Sequence, residues 1–379
     1  MDLSKREVQL SKRSEIKFIK PCIHQGESHA PLTAAYMRSV VNRGRIVQIN
    51  LDNCSIQRME ELSSSSTRED AEAVGLLPLI ELLESAPVSL TAIGVDEMPD
   101  WRVQRAMDAY QNFCQKFWPN HRDDFEATMR AFDPDSENKK VVFSQLSDSA
   151  RCTYGLSYVA MLQIQNIQLN FGDRPPTEKF EIYMHSMSRM LDLLTAYDME
   201  IAKYAFWDLT SNEINQLPEN VRLRRKNIKQ NFYKLSSNLD KCRWFAFDAA
   251  MDIYWLSGAN LAENLGVTLK ADGHELTIEN WVGTNDHKLF SICQDIHSVY
   301  MGGATMKALE STRENCLSET PYWQYVDRFA QAVMDYRKRS GYRDIGDLLR
   351  RVDSAIEHIE GELVLGFTHR ESSEKKEAV

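Results

Sequence analysis

The chain has 379 residues, 43% of them hydrophobic, enough for two or three domain-sized bodies with buried cores. Its 45 lysines and arginines against 55 aspartates and glutamates leave a formal net charge of −10, which excludes a surface that holds nucleic acid merely by being basic. The seven cysteines stand singly, with no CxxC pair and no Cys/His quartet at zinc spacing, and are expected as reduced core thiols.

The opening MDLSKREVQLSKRSEIKF is charged where a secretion signal needs an apolar run, and no uninterrupted apolar stretch approaches the about 20 residues that span a bilayer. The expectation is a cytoplasmic chain with no membrane partner. Residues 1–44 form an N-terminal segment without a clear period. The stretch RIVQINLD, Arg45 to Asp52, then alternates and stops on an acid, which predicts a strand. Ser63 to Ser66 read as a loop, and VGLLPLIELLE, Val74 to Glu84, as an amphipathic helix with Pro78 near its first turn. VSLTAIGV, Val88 to Val95, is a second short strand or strand-to-helix passage that runs into Asp96 and Glu97.

From Trp101 to about Leu239 the pattern turns mainly helical, with 3.6-residue periods such as Phe180 to Leu194 and Met199 to Trp207. This block contains the densest basic cluster of the chain, Arg222, Arg224, Arg225, Lys226 and Lys229. Nearby Trp207, Phe232 and Tyr233 are core aromatics or stacking platforms for bases. A further helix, RWFAFDAAMDIYWL, precedes a Lys-Ala-Asp-Gly-His connection and the segment WVGTNDHKLF, Trp281 to Phe290. Residues 291–360 read as helical again, and 366–379 as a frayed polar tail.

Acids recur where hydrophobic elements end or begin: Asp52 after INL, Glu97 after IGV, Asp248 within FAFDAAMD and Asp286 after GTN. In a parallel sheet the carboxyl ends of the strands share one edge, so such acids converge although distant in sequence. Clustered carboxylates repel one another, and Mg²⁺ or Mn²⁺ relieves that repulsion with an all-oxygen shell. Such an ion polarises a phosphodiester and activates a water. Each acid also has a plainer reading. Asp52 is a turn or cap residue, Glu97 a first-turn acid near Pro99, and Asp286 an N-cap for HKLF. Asp248 is a polar point on an apolar helix, where an unpaired acid is costly. Asp252 shares the helix face of Asp248, Asp96 competes with Glu97, and Asp198 with Glu200 forms another helical pair. His287, next to Asp286, reads as a surface histidine at a helix start or as a group that orients a phosphate or transfers a proton. The chain contains no GxxxxGK[ST], HExxH or GxSxG, and no GxGxxG follows a strand.

Read in order, LDN, VDE, FDAAMD and GTND resemble the PIN-domain nucleases. That resemblance implies an α/β fold, an α/β/α sandwich around a parallel sheet, assembled from residues 45–100 and 240–300. A helical insertion at 101–239 and C-terminal helices at 301–365 are appended to it. It implies metal-dependent cleavage of RNA, with Asp52, Glu97, Asp248 and Asp286 as catalytic residues and ligands of Mg²⁺ or Mn²⁺. Asp252 and Asp96 are substitutes, and Thr284 and Asn285 are polar neighbours of the last acid. The 222–229 cluster is expected to meet the nucleic-acid backbone. DNA as substrate, a homo-oligomer, an inhibitory protein partner, and toxin, phage-defence or RNA-processing roles stay open. The alternative is a helical interaction or scaffold protein, or a nucleic-acid-binding module of the same fold without catalysis.

Overall fold

A computed structural model describes residues 14–24, 31–119, 132–133, 135, 141–192, 196–233, 236–257, 268–271, 273–287, 289–290, 296–300, 307–311, 313–340 and 347–377. They fall into two compact units, 1–141 with 258–310 and 142–257 with 311–379. The first unit begins with β1 (Lys17–Ile19), β2 (Cys22–His24), α1 (Ala34–Asn42), β3 (Arg45–Leu51), α2 (Asn53–Met59), α3 (Arg68–Ala73) and α4 (Leu77–Ser85). It continues through β4 (Ser89–Thr91), a 3₁₀ turn (Ile93–Glu97) and α5 (Asp100–Phe117). The second unit contributes α6 (Asp148–Asn170), α7 (Pro176–Met190), α8 (Ala196–Phe206), α9 (Ser211–Gln216), α10 (Glu219–Phe232) and α11 (Leu239–Ser257). The chain then returns to the first unit with β5 (Thr268–Ala271), β6 (His274–Thr284), β7 (Ile296–Tyr300) and β8 (Lys307–Ser311). It ends in the second with α12 (Asn315–Ser318), α13 (Pro321–Ser340) and α14 (Leu348–Glu377).

The protein is thus mixed α/β. Its larger sheet has the order β1-β6-β3-β4, with β5 also paired to β6. β6, β3 and β4 run parallel, in a register that sets Leu51 opposite Gly283 and Asn50 opposite Thr91. β1 and β5 run antiparallel to β6, so the sheet is mixed where the sequence predicts a parallel one. The short turn at Gly273, φ 82°, leaves no length for a crossover and forces β5 and β6 into a hairpin. A second, three-stranded sheet has the order β2-β7-β8.

β3 is buried on both faces: Ile46, Val47, Ile49 and Leu51 are each at most 5% exposed, the pattern of an interior parallel strand. Thr33 caps α1 by accepting from the Tyr36 amide, and α1 buries Met37 and Val40. Across the core, Val103, Ala106, Tyr110 and Phe113 of α5 join the same apolar cluster as Ile49 and Leu51. This packing places α5 with the sheet and not with the helical insertion drawn from residue 101. The opposite shift occurs at 240–257, where α11 packs on α6 and Phe247 meets Tyr154 and Tyr158 edge-on. Two further expectations change. Residues 307–311 are a strand, and α14 continues to Glu377 through the segment read as a tail.

The second unit contains a buried ion network. Arg313 donates to both Glu200 and Asp327, and its guanidinium lies 4.2 Å from the Trp323 ring centroid. Lys203 Nζ approaches Glu200 at 3.2 Å and Asp327 at 2.8 Å. Burial alone would raise the Glu200 pKa, but Lys203 and Arg313 outweigh it and hold the group at about 2. Of the free cysteines, Cys114 and Cys242 are core thiols, whereas Cys316 is exposed.

Glu200→Gln leaves Arg313 and Lys203 without the buried charge they face and is expected to cost roughly 3–5 kcal/mol, read as a lowered melting temperature in calorimetry. Because the folded pKa lies below the unfolded one, the contribution of Glu200 is full above about pH 4.5 and is lost as pH falls towards about 2. The parent and Glu200→Gln therefore converge in stability on acidification.

Candidate functional site

Asp52 follows β3 directly and is the N-cap of α2, its Oδ1 accepting from the Ser55 amide at 2.9 Å. The parallel register with β6 brings the end of that strand alongside. The Asp52 amide donates to the Gly283 carbonyl at 3.1 Å, and Thr284 Oγ1 donates to Asp52 Oδ2. The Thr284 hydroxyl in turn accepts from the Asp286 amide at 2.8 Å, so one side chain links both acids. Asp286 Oδ1 accepts from the Leu289 amide at 3.3 Å. Both plain readings of these acids as caps are therefore realised, on one edge of the sheet.

Glu97 reaches the same edge from the turn after β4. Asn53 Nδ2 donates to Glu97 Oε2 at 2.6 Å, and Gln57 Nε2 donates to Asn53 Oδ1 at 3.2 Å. The approach depends on Gly94, where an added Cβ would fall 2.4 Å from the Asp52 carbonyl carbon and 2.5 Å from the Asn53 nitrogen. A row of side-chain bonds crosses the three parallel strands just below. Thr91 Oγ1 donates to Asn50 Oδ1 at 2.9 Å, and Asn50 Nδ2 donates to Asn280 Oδ1 at 3.2 Å.

Two buried carboxylates of this sheet differ sharply in electrostatics. Glu279, fully buried on β6, meets Lys20 and Arg45, each at 3.1 Å, and accepts from Tyr36 and Trp281. Burial raises its pKa, but these partners prevail and hold it below the usual carboxylate range. Asp52, 5% exposed, has only neutral donors around it among the described residues. Burial pushes its carboxyl up to about 6 against the Thr284 and Ser55 hydrogen bonds, and the Asp286 charge adds to the rise.

Asp248 and Asp252 belong to α11 of the second unit, not to the sheet unit that contains Asp52, Glu97 and Asp286. Asp248 is exposed, so the helix carries it without the desolvation cost that made it seem informative. The basic cluster on α10 also divides. Arg224 is 3% exposed and donates to Glu314 at 2.7 Å and to the Tyr204 hydroxyl at 3.1 Å. Arg225 donates to the Trp207 carbonyl at 3.1 Å and lies over that ring. These two are fold contacts and correct the expectation that all five arginines and lysines meet nucleic acid. Arg222, Lys226 and Lys229 are exposed and share one helix face. Trp207 and Phe232 are core residues, and His287 is at the surface.

Thr284 and Asn53 were legible only as polar neighbours within GTND and LDN. Glu279 and Asn50 gave no sequence signal, since their partners, on other strands and at Lys20, Tyr36 and Arg45, are remote in sequence. Among the described residues, no group of three or more His, Cys, Asp or Glu side chains that could hold a metal ion is formed. The sheet edge nonetheless offers a fully buried carboxylate raised in part by a second one, and only oxygen donors of hard character. That set suits Mg²⁺ or Mn²⁺, which bind through one or two carboxylates and retain waters. No family model matches the chain, and neither a curated protein nor a solved structure matches it.

Asp52→Asn preserves the cap and removes the buried charge. It is expected to raise stability at pH 7, by at most about 3 kcal/mol for a rise from 3.8 to about 6. A raised folded pKa costs stability as pH climbs from about 4 to about 6. The gain of the variant should therefore fade below about pH 4, as measured by urea denaturation across pH.

Proposed function

We propose that the carboxyl edge of the larger sheet is a phosphodiesterase site of a PIN-like, divalent-metal-dependent nuclease acting on RNA. The observation that carries this reading is the pairing of Asp52 and Asp286 through Thr284 at the ends of adjacent strands, with Glu97 beside them on Asn53. A metal ion bound there would supply Lewis acidity and an activated water. Asp52 and Asp286 would hold it, and their mutual repulsion is what its charge relieves. Thr284 fixes the direction of Asp52, and Asn53 directs Glu97 towards the same edge. On α10, Arg222, Lys226 and Lys229 would neutralise backbone phosphates that an acidic chain otherwise repels.

A second reading has support in one observation. Both Asp52 and Asp286 already accept from backbone amides as caps, which is sufficient reason for their presence in a non-catalytic interaction protein. Manganese separates the two. Under the nuclease reading Mn²⁺ raises the melting temperature of the parent but not of Asp52→Asn, and single-stranded RNA is cleaved at a rate that Asp52→Asn or Asp286→Asn lowers at least about 100-fold. Cleavage should need ionised Asp52 and rise with pH through about 6 at low metal. Excess Mn²⁺ moves that midpoint down, because cation and proton compete. No cleavage, and no shift with Mn²⁺, would sink the proposal.

Replacing Arg222, Lys226 and Lys229 together by Ala should weaken RNA binding and flatten its log-affinity against log-salt slope by about three, while leaving the fold intact. Arg224→Ala should instead lower the melting temperature, since it removes a buried guanidinium and its bonds to Glu314 and Tyr204.

A further inference from the structure

The sheet edge continues outward along α5. Beyond Glu97 the chain passes buried Met98 and then Pro99 before it enters that helix at Asp100. Val103, Ala106, Met107 and Tyr110 turn into the core cluster, so the helical repeat leaves Trp101, Gln104, Arg105 and Asp108 facing out. Trp101 is 47% exposed, whereas Trp207, Trp281 and Trp323 are buried. Among the described residues no ring, cation or hydrogen-bonding group partners its side chain. Leaving about half of an indole in water forgoes the burial that the same side chain achieves at those three other positions.

Arg105 stands one turn on, on the same face and about 6 Å along the helix axis. Its Nε meets Glu60 Oε2 at 3.0 Å, and the other oxygen of that carboxylate takes Arg102 Nε at 3.0 Å. Two guanidiniums share one carboxylate, so one positive charge is left over. Arg105, with its side chain 69% exposed against 27% for Arg102, carries that charge to solvent. A turn further, Asp108 accepts from Gln104 and ends the cationic stretch. The outer face of α5 thus presents one flat ring followed by one charged fork.

We propose that Trp101 and Arg105 form a platform for single-stranded RNA, the ring stacking on one unpaired base and the guanidinium meeting the phosphate beside it. Every base has a π-face that an indole can cover, and the planar arginine fork matches phosphate oxygens. Bases inside a duplex are already stacked on their neighbours, so only an unpaired strand can offer one to Trp101. Glu97 and Trp101 are four residues apart, a reach of at most about 14 Å. At about 3.4 Å per stacked nucleotide that is about four nucleotides at most. The inference rests on the sheet-edge reading for the fate of the strand, and adds to it the path of the strand, outward over α5.

Fluorescence anisotropy of the full chain with a labelled adenylate RNA of about 12 nucleotides, within the site sizes of single-strand binders, and with the same strand paired to uridylate, tests it in EDTA, where metal-dependent cutting is off. The single strand is expected to bind at least about tenfold more tightly than the duplex. Trp101→Ala should weaken the single strand about tenfold or more and leave duplex binding and the melting temperature unchanged, while Trp101→Phe keeps most of the affinity. Arg105→Ala should flatten the log-affinity against log-salt slope for the single strand by about 0.7. Cleavage with Mn²⁺ separates this inference from the reading beneath it. Single-strand binding that depends on Trp101, with no cleavage by the parent, supports the platform and counts against the nuclease. Cleavage lost in Asp52→Asn but unchanged in Trp101→Ala at sub-saturating RNA supports the nuclease and overturns the platform. Absence of single-strand binding, or equal weakening of strand and duplex by Trp101→Ala, also overturns it.

Discussion

The parallel pairing of β3 with β6 is the constraint on which the sheet edge depends. It joins segments separated by residues 142–257 of the second unit, and it sets Leu51 opposite Gly283 so that the residues just beyond them, Asp52 and Thr284, meet. A slip of one residue would turn the Thr284 hydroxyl to the other face of the sheet and separate it from the carboxylate. Burial of β3 on both sides makes such a slip expensive, because every large side chain of the strand would change face. Gly283 adds to the fixity, since a Cβ there would crowd Ile49 and Leu51 at 3.1 Å.

Within that frame, three buried carboxylates show what partners do to an acid. Glu200 and Glu279 each face two cations, and both are held below the usual range. Both shifts favour the ionised form, and the two acids contribute to the fold by neutralising lysine and arginine. Asp52 faces hydroxyl and amide donors and a second acid, and its pKa moves the opposite way. Burial is common to all three, so what decides the sign is that no cation faces Asp52 among the described residues. A carboxylate left uncompensated in a packed edge marks a place where a cation, proton or substrate has something to gain.

The sequence made the sheet edge legible and the helical unit much less so. Alternation in RIVQINL and the acid after it announced a strand and its end. The Thr-Asn-Asp run after an apolar stretch announced another, and topology then brought the two together. Asp248 misled because periodicity alone does not say which side of a helix faces the core: FAFDAAMD reads as apolar all round, yet Asp248 lies outward between buried Phe247 and Ala249. The α10 cluster misled for the converse reason, since a run of arginines and lysines looks solvated until a partner such as Glu314, ninety residues away, is known. The ion networks were invisible for the same cause: Glu279 and Arg313 draw their meaning from contacts remote in sequence. Unit boundaries slipped at α5 and α11 because a helix sequence does not say which core its apolar residues enter, and only packing tells.

Asp52 also shows why cap and ligand are not rival descriptions. As a cap it satisfies one of the amides that every helix start leaves without a partner, and it keeps that role whether or not the group is charged, since Asn caps as well as Asp. The charge itself therefore adds nothing to the cap and, at neutral pH, lowers stability. Folding alone would favour Asn at this position. An acid there, against its own desolvation and against Asp286, is stability given up locally, and that local cost is what the proposed chemical role would account for. Asn53, next in the chain, makes the comparison internal to the protein: the neutral amide stands where it bridges to Glu97, and the acid stands where the two parallel strands end.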